Sequence, residues 1–315
     1  MQIDFIAIVE AAWQDYDPSR TVLSITYEAF LEDHSLINAL ANNLPAPYDQ
    51  LLSRSLLKKN QLFTYHHQTA LLDAWVVFYN PIGVDRMLPK KIDERQIEIL
   101  GGELAHFHKT CSRLLNILPD WSKTLKGDML RLLWFLDTEE GQFQHRGTMG
   151  EIRRQVDIFD ANMNELDAYA LEAVPVFVDW NIGNFSVTKG GKFYSRWDYD
   201  WFRMSSRVLD FYFFSRVCST AGDKTVFSYL IDTVMEDRFM IFLKAYHAVY
   251  PLSRQEVLFI KEAYRFFILN YVIKYGHYFF HDIYASRLQR EAFEIYFPRL
   301  EKDFKPDKIL QALDL

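Results

Sequence analysis

The first 82 residues alternate apolar and polar positions in short blocks. Helical spacing of apolar residues and clusters of β-branched residues each occur over fewer than about twenty residues at a time. Pro45 and the Asn80–Gly83 turn interrupt these blocks. The expected elements are helices over residues 4–13 and 36–44 and strands over residues 21–27, 62–65 and 74–79.

The remainder of the chain has the longer period of helices. Apolar residues recur every three or four positions over residues 93–117, and shorter helices are expected over 129–136 and 150–171. One β segment interrupts them, with two strands around a Gly190-Gly191 turn. After Asp210 the pattern is helical to about residue 300.

These patterns predict an α+β protein with two lobes. The small N-terminal lobe is expected over residues 1–82, and the large, mainly helical C-terminal lobe over residues 83–315. The β segment at residues 174–201 lies within the large lobe and has the character of a loop followed by a hairpin.

Composition excludes several classes of protein. Of the 315 residues, 50% are hydrophobic, 16% aromatic and 24% charged, which argues against a disordered chain. A formal net charge of −7 argues against a nucleic-acid partner. Two cysteines suit a reducing compartment, and no apolar run is long enough for a membrane span. The expected location is the cytoplasm.

The polar residues of the β segment are the candidates for chemistry. Asp179 ends an apolar run, Asn184 follows five residues later, Asp198 follows the second hairpin strand, and Asp210 comes twelve residues after that. An aspartate and an asparagine at this spacing also occur in ordinary turns. Asp210 alone could be a helix N-cap or the partner of Arg207.

In combination, these four residues resemble the catalytic segment of the aminoglycoside phosphotransferase and choline kinase family, which has a protein-kinase-like fold. Residues 102–108, Gly-Glu-Leu-Ala-His-Phe-His, are similar to a stretch of the large-lobe helix in that family. The resemblance covers roughly residues 60–300 in layout, and its motifs are specific from about residue 174 to 214.

The resemblance implies a small-molecule kinase that transfers the γ-phosphoryl group of ATP to a hydroxyl group of an acceptor. It assigns Asp179 as the base that accepts the hydroxyl proton, and Asn184 and Asp198 as ligands of Mg²⁺. Asp200 is expected to be a further ligand, and Asp210 a structural support. Such a set is chemically reasonable, because phosphoryl transfer depends mainly on positioning and on charge neutralisation by Mg²⁺.

The N-terminal lobe suggests an alternative. Residues 1–57 contain eight acidic residues, two arginines and no lysine, and the first glycine is Gly83. Relatives anchor the nucleotide phosphates with a lysine or arginine on a strand; Arg20 and Arg54 are the candidates here, while Lys58-Lys59 is expected to be a solvated turn. The alternative is therefore a catalytically weak or inactive kinase-like binding protein, a pseudokinase. Whether ATP or GTP binds stays open.

Aromatic residues are concentrated in the last third of the chain, where residues 201–300 hold 25 of the 51. A helical core of large side chains is the simplest interpretation. Four successive aromatic residues at positions 211–214 cannot all face one side of a helix, so some are expected to be exposed. Exposed aromatics would suit a cage for a cationic or aromatic acceptor, or the interface of a homodimer.

Overall fold

The computed structural model describes residues 27–59, 61–68, 73–119, 122–223 and 228–315. The helix expected over residues 4–13 and Arg20 lie outside the described residues, as does nearly all of the strand expected over 21–27. Tyr27 is the first described residue and begins a helix.

The described N-terminal part combines one helix with two antiparallel strand pairs. Helix α1 buries four apolar side chains on one face and ends ahead of Pro45, as the sequence predicts. The strand expected over residues 62–65 is divided at Phe63 into two strands, and the second of them pairs with the strand expected over 74–79, with Thr64 opposite Val77. The elements are α1 (Tyr27–Asn43), β1 (Leu57–Lys58), β2 (Gln61–Leu62), β3 (Thr64–Gln68) and β4 (Asp73–Val77). The boundary proposed between residues 82 and 83 stays a prediction.

Four helices open the large lobe. The longest, α2, is capped by Asp93, whose carboxylate accepts a 2.8 Å hydrogen bond from the Gln96 amide, and its apolar stripe is buried as predicted. Thr124 caps α3 in the same way. The four helices are α2 (Glu94–Ser112), α3 (Leu125–Leu136), α4 (Glu139–Gln144) and α5 (Met149–Glu165).

The β segment forms two antiparallel pairs of strands. Strand β5 (Val174–Val176) pairs with β8 (Arg203–Ser205), and β6 (Phe185–Val187) pairs with β7 (Phe193–Arg196). Because β6 and β7 form the predicted hairpin, the loop that enters β6 and the loop that leaves β7 lie side by side. Residues 177–184 and 197–202 are therefore neighbours, and these loops carry the candidate site.

Helices and two π-helical segments complete the chain. The elements are α6 (Phe211–Cys218), α7 (Asp237–Val249), α8 (Arg254–Phe267), a π-helical segment (Ile268–Lys274), α9 (Gly276–Phe279), α10 (Asp282–Glu291), a second π-helical segment (Ala292–Tyr296), α11 (Phe297–Asp303) and α12 (Pro306–Ala312). Helix α7 packs along α2. Among the residues described, no helix is both long enough and apolar enough to cross a membrane.

The four aromatic residues at positions 211–214 correct one expectation. All four are at most 1% exposed, and every residue of α6 is buried. The helix is central, since α7 and α8 pack against it together with short 3₁₀ segments on either side. The argument that part of this run must be exposed assumed a helix at the surface, and it is wrong for α6. These side chains form core rather than a cage or a dimer interface.

Candidate active site

Asp179 lies on a sharp turn directly after β5. The turn is closed by a 2.7 Å hydrogen bond from the Asp179 amide to the Phe177 carbonyl oxygen. Val178 between them has φ +62°, a left-handed conformation that costs an L-residue about 1–2 kcal/mol and is rare for a β-branched side chain. The Asp179 carboxylate in turn accepts a 3.0 Å bond from the Asn181 amide. Its direction is thus set by its own loop.

Asp210 supports this turn from behind. Its buried carboxylate accepts hydrogen bonds from the amides of Phe177 (3.0 Å) and Val178 (2.6 Å) and contacts His108 Nε2 at 2.9 Å. The Tyr246 hydroxyl lies 2.7 Å from His108 Nδ1. Burial lowers the pKa of His108, so a neutral ring that donates to Asp210 and accepts from Tyr246 satisfies all three groups.

The two local interpretations of Asp210 are thereby excluded. Its side chain makes no hydrogen bond that caps α6. Arg207 pairs instead with Glu256, Nε to Oε1 at 2.6 Å. His108 is a fully buried residue of α2.

Arg196, the last residue of β7, was missed by the sequence analysis. Its guanidinium is fully buried and donates to the backbone carbonyl oxygens of Asp179 (2.8 Å), Trp197 and Asp198. It also lies 4.5 Å from the centre of the Phe177 ring. One cation thus holds the Asp179 loop against the Asp198 loop.

The loops that carry Asn184 and Asp198 meet at the mouth of the hairpin. The Trp197 amide donates a 3.0 Å bond to the Asn184 carbonyl oxygen, and Asn184 Nδ2 lies 3.4 Å from the Asp179 carbonyl oxygen. Asp198 has φ +67° and an exposed side chain. Asp200, two residues on, is also exposed. The fold therefore places Asp179, Asn184, Asp198 and Asp200 on two adjacent loops, with the Asp210 carboxylate bound to the first loop.

Negative charge at these loops is only partly compensated. Desolvation raises the pKa of Asp179 to about 6, and the Asp198 carboxylate adds to the rise while Arg196 opposes it. Desolvation and Asp198 also raise the pKa of Asp200, against Lys123 and Arg196. Such a cluster favours a divalent cation.

The donor set fits Mg²⁺ bound together with a nucleotide. With the amide nitrogen of Asn184 directed at the backbone, its Oδ1 remains as the donor, beside the carboxylate of Asp198. Within the described ranges, no group of three or more His, Cys, Asp or Glu residues is arranged to hold a metal ion by itself. Mg²⁺ commonly needs one or two carboxylates and completes its shell with phosphate oxygens and water.

The described part of the small lobe keeps its basic side chains at the surface. Arg54, Lys58 and Lys59 are all exposed. Lys58 lies over the Phe63 ring at 5.6 Å, and Lys59 occupies the turn between β1 and β2 with φ +54°. Both lysines are exposed, as predicted, but only Lys59 lies in the turn, because Lys58 is the last residue of β1.

This arrangement, a small α/β part before a helical lobe with two polar loops on a β hairpin, is that of a protein-kinase-like fold. Many solved structures share it. The amicoumacin kinase hAmiN, in complex with AMP-PNP, Ca²⁺ and Ami, has a TM-score of 0.61 and 13% identity over 90% of this chain and 82% of its own. The microcompartment-associated aminopropanol kinase has a TM-score of 0.57 and 13% identity, covering 87% and 81%. The streptomycin–ATP–APH(2″)-IIa ternary complex has a TM-score of 0.52 and 12% identity, covering 95% and 99%.

At these identities the similarity shows the fold alone. It confirms the predicted two-lobed α+β protein-kinase-like architecture. Neither the protein-family models nor the curated proteins include a match to this chain.

Proposed function

We propose that this protein is a small-molecule kinase that transfers the γ-phosphoryl group of ATP to a hydroxyl group of its acceptor. The observation that carries the proposal is the bridge made by Arg196 between the loops of Asp179 and Asp198. A buried arginine whose guanidinium binds the backbone of both polar loops indicates that the relative position of these loops matters for function. Its solved structural neighbours, which are small-molecule kinases, support the same class.

Asp179 is the base in this proposal. A pKa of about 6 leaves its carboxylate largely ionised at neutral pH, yet close enough to neutrality to accept a proton efficiently. Asp210 and His108 fix the turn on which it lies, and Arg196 holds its backbone. The acceptor hydroxyl would bind within hydrogen-bond distance of Asp179 and lose its proton to it as the phosphoryl group is transferred.

Asn184 and Asp198 would hold Mg²⁺, and Asp200 would be a further ligand. When bound, Mg²⁺ neutralises the charge on the β- and γ-phosphate oxygens. The hydrogen bond from the Trp197 amide to the Asn184 carbonyl oxygen supports this assignment, because it holds the loop of Asn184 next to the loop of Asp198.

A pseudokinase is the second candidate. It is favoured by the surface placement of Arg54, Lys58 and Lys59, which leaves the described small lobe without a buried cation for nucleotide phosphates.

Nucleotide binding followed by turnover separates the two candidates. In a thermal-shift assay with Mg²⁺, ATP at 100 times its dissociation constant should stabilise the chain by about 2.7 kcal/mol. ADP release should then be measured with a panel of hydroxylated compounds. Asp179→Ala and Asp198→Ala should each abolish turnover while leaving the fold intact, and Asp157→Ala, an exposed change on α5, should leave turnover unaffected.

The contrary results are equally distinct. No stabilisation at millimolar ATP would refute the kinase. Full turnover by a purified Asp198→Ala variant would refute the metal assignment. Nucleotide binding with no ADP release across the panel would favour the pseudokinase.

A further inference from the structure

A group of basic side chains lies in the large lobe beside the Asp200 loop. Three of them surround one buried carboxylate, that of Asp128. Arg203 Nη1 is 2.8 Å from Asp128 Oδ2, Arg131 Nη2 is 2.7 Å from Oδ1, and Lys274 Nζ is 3.8 Å from Oδ1. The fourth, Lys123, pairs with Asp33 of α1. We call this group, Lys123, Arg131, Arg203 and Lys274, the basic cluster.

The basic cluster carries more positive charge than its partners neutralise. Asp128 and Asp33 supply two carboxylates to four cations, and Asp200, which interacts with Lys123, adds a third. Desolvation lowers the pKa of Lys274 to about 8, and repulsion from Arg131, Arg203 and Lys123 adds to this while Asp128 opposes it. An anion placed here would relieve this repulsion.

Two donors of the basic cluster are buried without a hydrogen-bond acceptor. The Lys274 side chain is 7% exposed, and its Nζ has no acceptor in the part of the chain that the structure describes. The same holds for Nε of Arg203, whose side chain is 3% exposed. Buried polar atoms are almost always hydrogen-bonded, and these two donors lack an acceptor although both side chains keep an ion pair with Asp128. Two such donors in one cluster point to an oxygen-bearing ligand.

The position of the basic cluster connects it to the candidate active site. Arg203 is in β8 and pairs with Val176 of β5, and Val176 lies three residues before Asp179 in the chain. The Trp201 ring stacks on Tyr271 with centroids 3.9 Å apart and planes 6° from parallel. Tyr271 and Lys274 share the π-helical segment, a widened helix turn of a kind often found at functional sites. This stacking joins that segment to the loop of Asp198 and Asp200.

We infer that the basic cluster binds an oxyanion, a carboxylate or a phosphate group, carried by the hydroxyl-bearing acceptor. This inference rests on the proposed function, because it names the charge of the substrate of the same site. It replaces the sequence-based expectation of a cationic acceptor. That expectation followed from the aromatic content, whereas the charge beside the Asp200 loop is locally basic.

Inorganic sulfate is a suitable probe because it presents the oxygens without requiring turnover. The thermal stability of the full chain should be titrated with sodium sulfate against sodium chloride of equal ionic strength, with and without AMP-PNP and Mg²⁺. Sulfate should stabilise the wild type at both nucleotide conditions. Lys274→Met should weaken the apparent sulfate affinity at least tenfold. Lys244→Met, which removes an exposed lysine of α7, is the matched control and should behave as the wild type.

A second variant keeps the test valid if Lys274→Met fails to fold. Arg131, with a half-exposed side chain, can be changed to Gln with less disturbance, and Arg131→Gln should also weaken the sulfate effect. Equal sulfate stabilisation in Lys274→Met, Arg131→Gln and the wild type would place the anion elsewhere and overturn the inference. A sulfate effect that disappears when AMP-PNP is added would assign the basic cluster to the nucleotide, and would also overturn it.

The source of the oxyanion is resolved by small hydroxylated probes. Glycerate carries a carboxylate, glycerol 3-phosphate carries a phosphate and ethanolamine carries a cation. Whichever of glycerate and glycerol 3-phosphate stabilises the chain more identifies the oxyanion that the basic cluster binds. Stronger stabilisation by ethanolamine than by either would overturn the inference. Failure of the proposed function would give a different result, because ATP would then not stabilise the chain whereas sulfate still would.

Discussion

Arg196 donates a 2.8 Å hydrogen bond to the carbonyl oxygen of Asp179, seventeen residues earlier in the chain. The same guanidinium reaches the carbonyl oxygen of Asp198 on the other loop. The proposed base and the proposed metal ligand are thus positioned through their backbones by one buried cation, and neither carboxylate is consumed in the contact.

Replacing Arg196 should therefore lower turnover and shift its pH dependence. We expect Arg196→Met to lower kcat by about 100-fold, since small displacements of reacting groups have effects of this size. Loss of the positive charge should also raise the pKa of Asp179 further, so the acid side of the pH–rate profile moves to higher pH. Steady-state kinetics across pH measure both effects.

Arg196→Lys and Arg95→Met are the comparisons. The lysine keeps the charge without the fork of donors, so kcat should fall with a smaller pH shift. Arg95 is exposed on α2, and its loss should change neither quantity. A normal pH profile in Arg196→Met, combined with lost stability alone, would show that Arg196 only supports the fold.

The pKa of Asp179 predicts how the rate depends on pH in the wild type. If the ionised carboxylate is the base, kcat/KM should rise about tenfold per pH unit below a midpoint near pH 6 and level off above it. Initial rates between pH 4.5 and pH 8, with enzyme stability checked at each pH, test this. A flat profile across this range would contradict the assignment of Asp179 as base.

The same pKa predicts a conflict between activity and stability. The folded-state pKa of Asp179 lies above its ordinary value, so the folded chain binds more protons than the unfolded chain between about pH 4 and pH 6. This group therefore destabilises the fold progressively as pH rises through that window. Asp179→Asn removes the charge and should raise the free energy of unfolding at pH 8 by about 1–3 kcal/mol, while abolishing transfer.

Urea denaturation in metal-free buffer measures that gain. It should vanish below about pH 3, where Asp179 is protonated in both the folded and the unfolded state. Asp157→Asn, on the exposed face of α5, should show no such dependence. An Asp179→Asn variant no more stable than the wild type at pH 8 would contradict the desolvation argument.

Val178 offers a test of the strained turn. At an ordinary strand position alanine is more stable than glycine by roughly 0.5–1 kcal/mol. At φ +62° the order should reverse, because glycine has no Cβ to clash. We expect Val178→Gly to be about 1 kcal/mol more stable than Val178→Ala. Comparing these two variants with each other cancels most of the shared loss of the buried valine side chain.

Chemical denaturation of both variants gives the comparison. The usual order, with alanine more stable, would show that the surroundings impose no strain at this turn. The position is informative because the hydrogen bonds from Phe177 and Val178 to Asp210 hold the turn in its left-handed form.

Local signals in the sequence determined a large part of this protein. The amphipathic spacing predicted α2, the Gly190-Gly191 turn predicted the hairpin of β6 and β7, and Pro45 marked the limit of α1. The register of Asp179, Asn184, Asp198 and Asp210 predicted the candidate site. Periodicity and turn chemistry depend on neighbours within a few residues, so they can be read from the chain alone.

The tertiary structure decided what depends on distant partners. An arginine in a hairpin strand is ordinarily solvated, and Arg196 becomes the link between two loops only because the fold buries it. Helix α6 is covered by α7, α8 and the 3₁₀ segments on either side of it, which no helical period could show. Lys274 meets Arg203 and Asp128 across separations of about 70 to 150 residues, so the local positive charge opposes the acidic total. Charge and burial are set by the sum of such contacts, and only the fold brings them together.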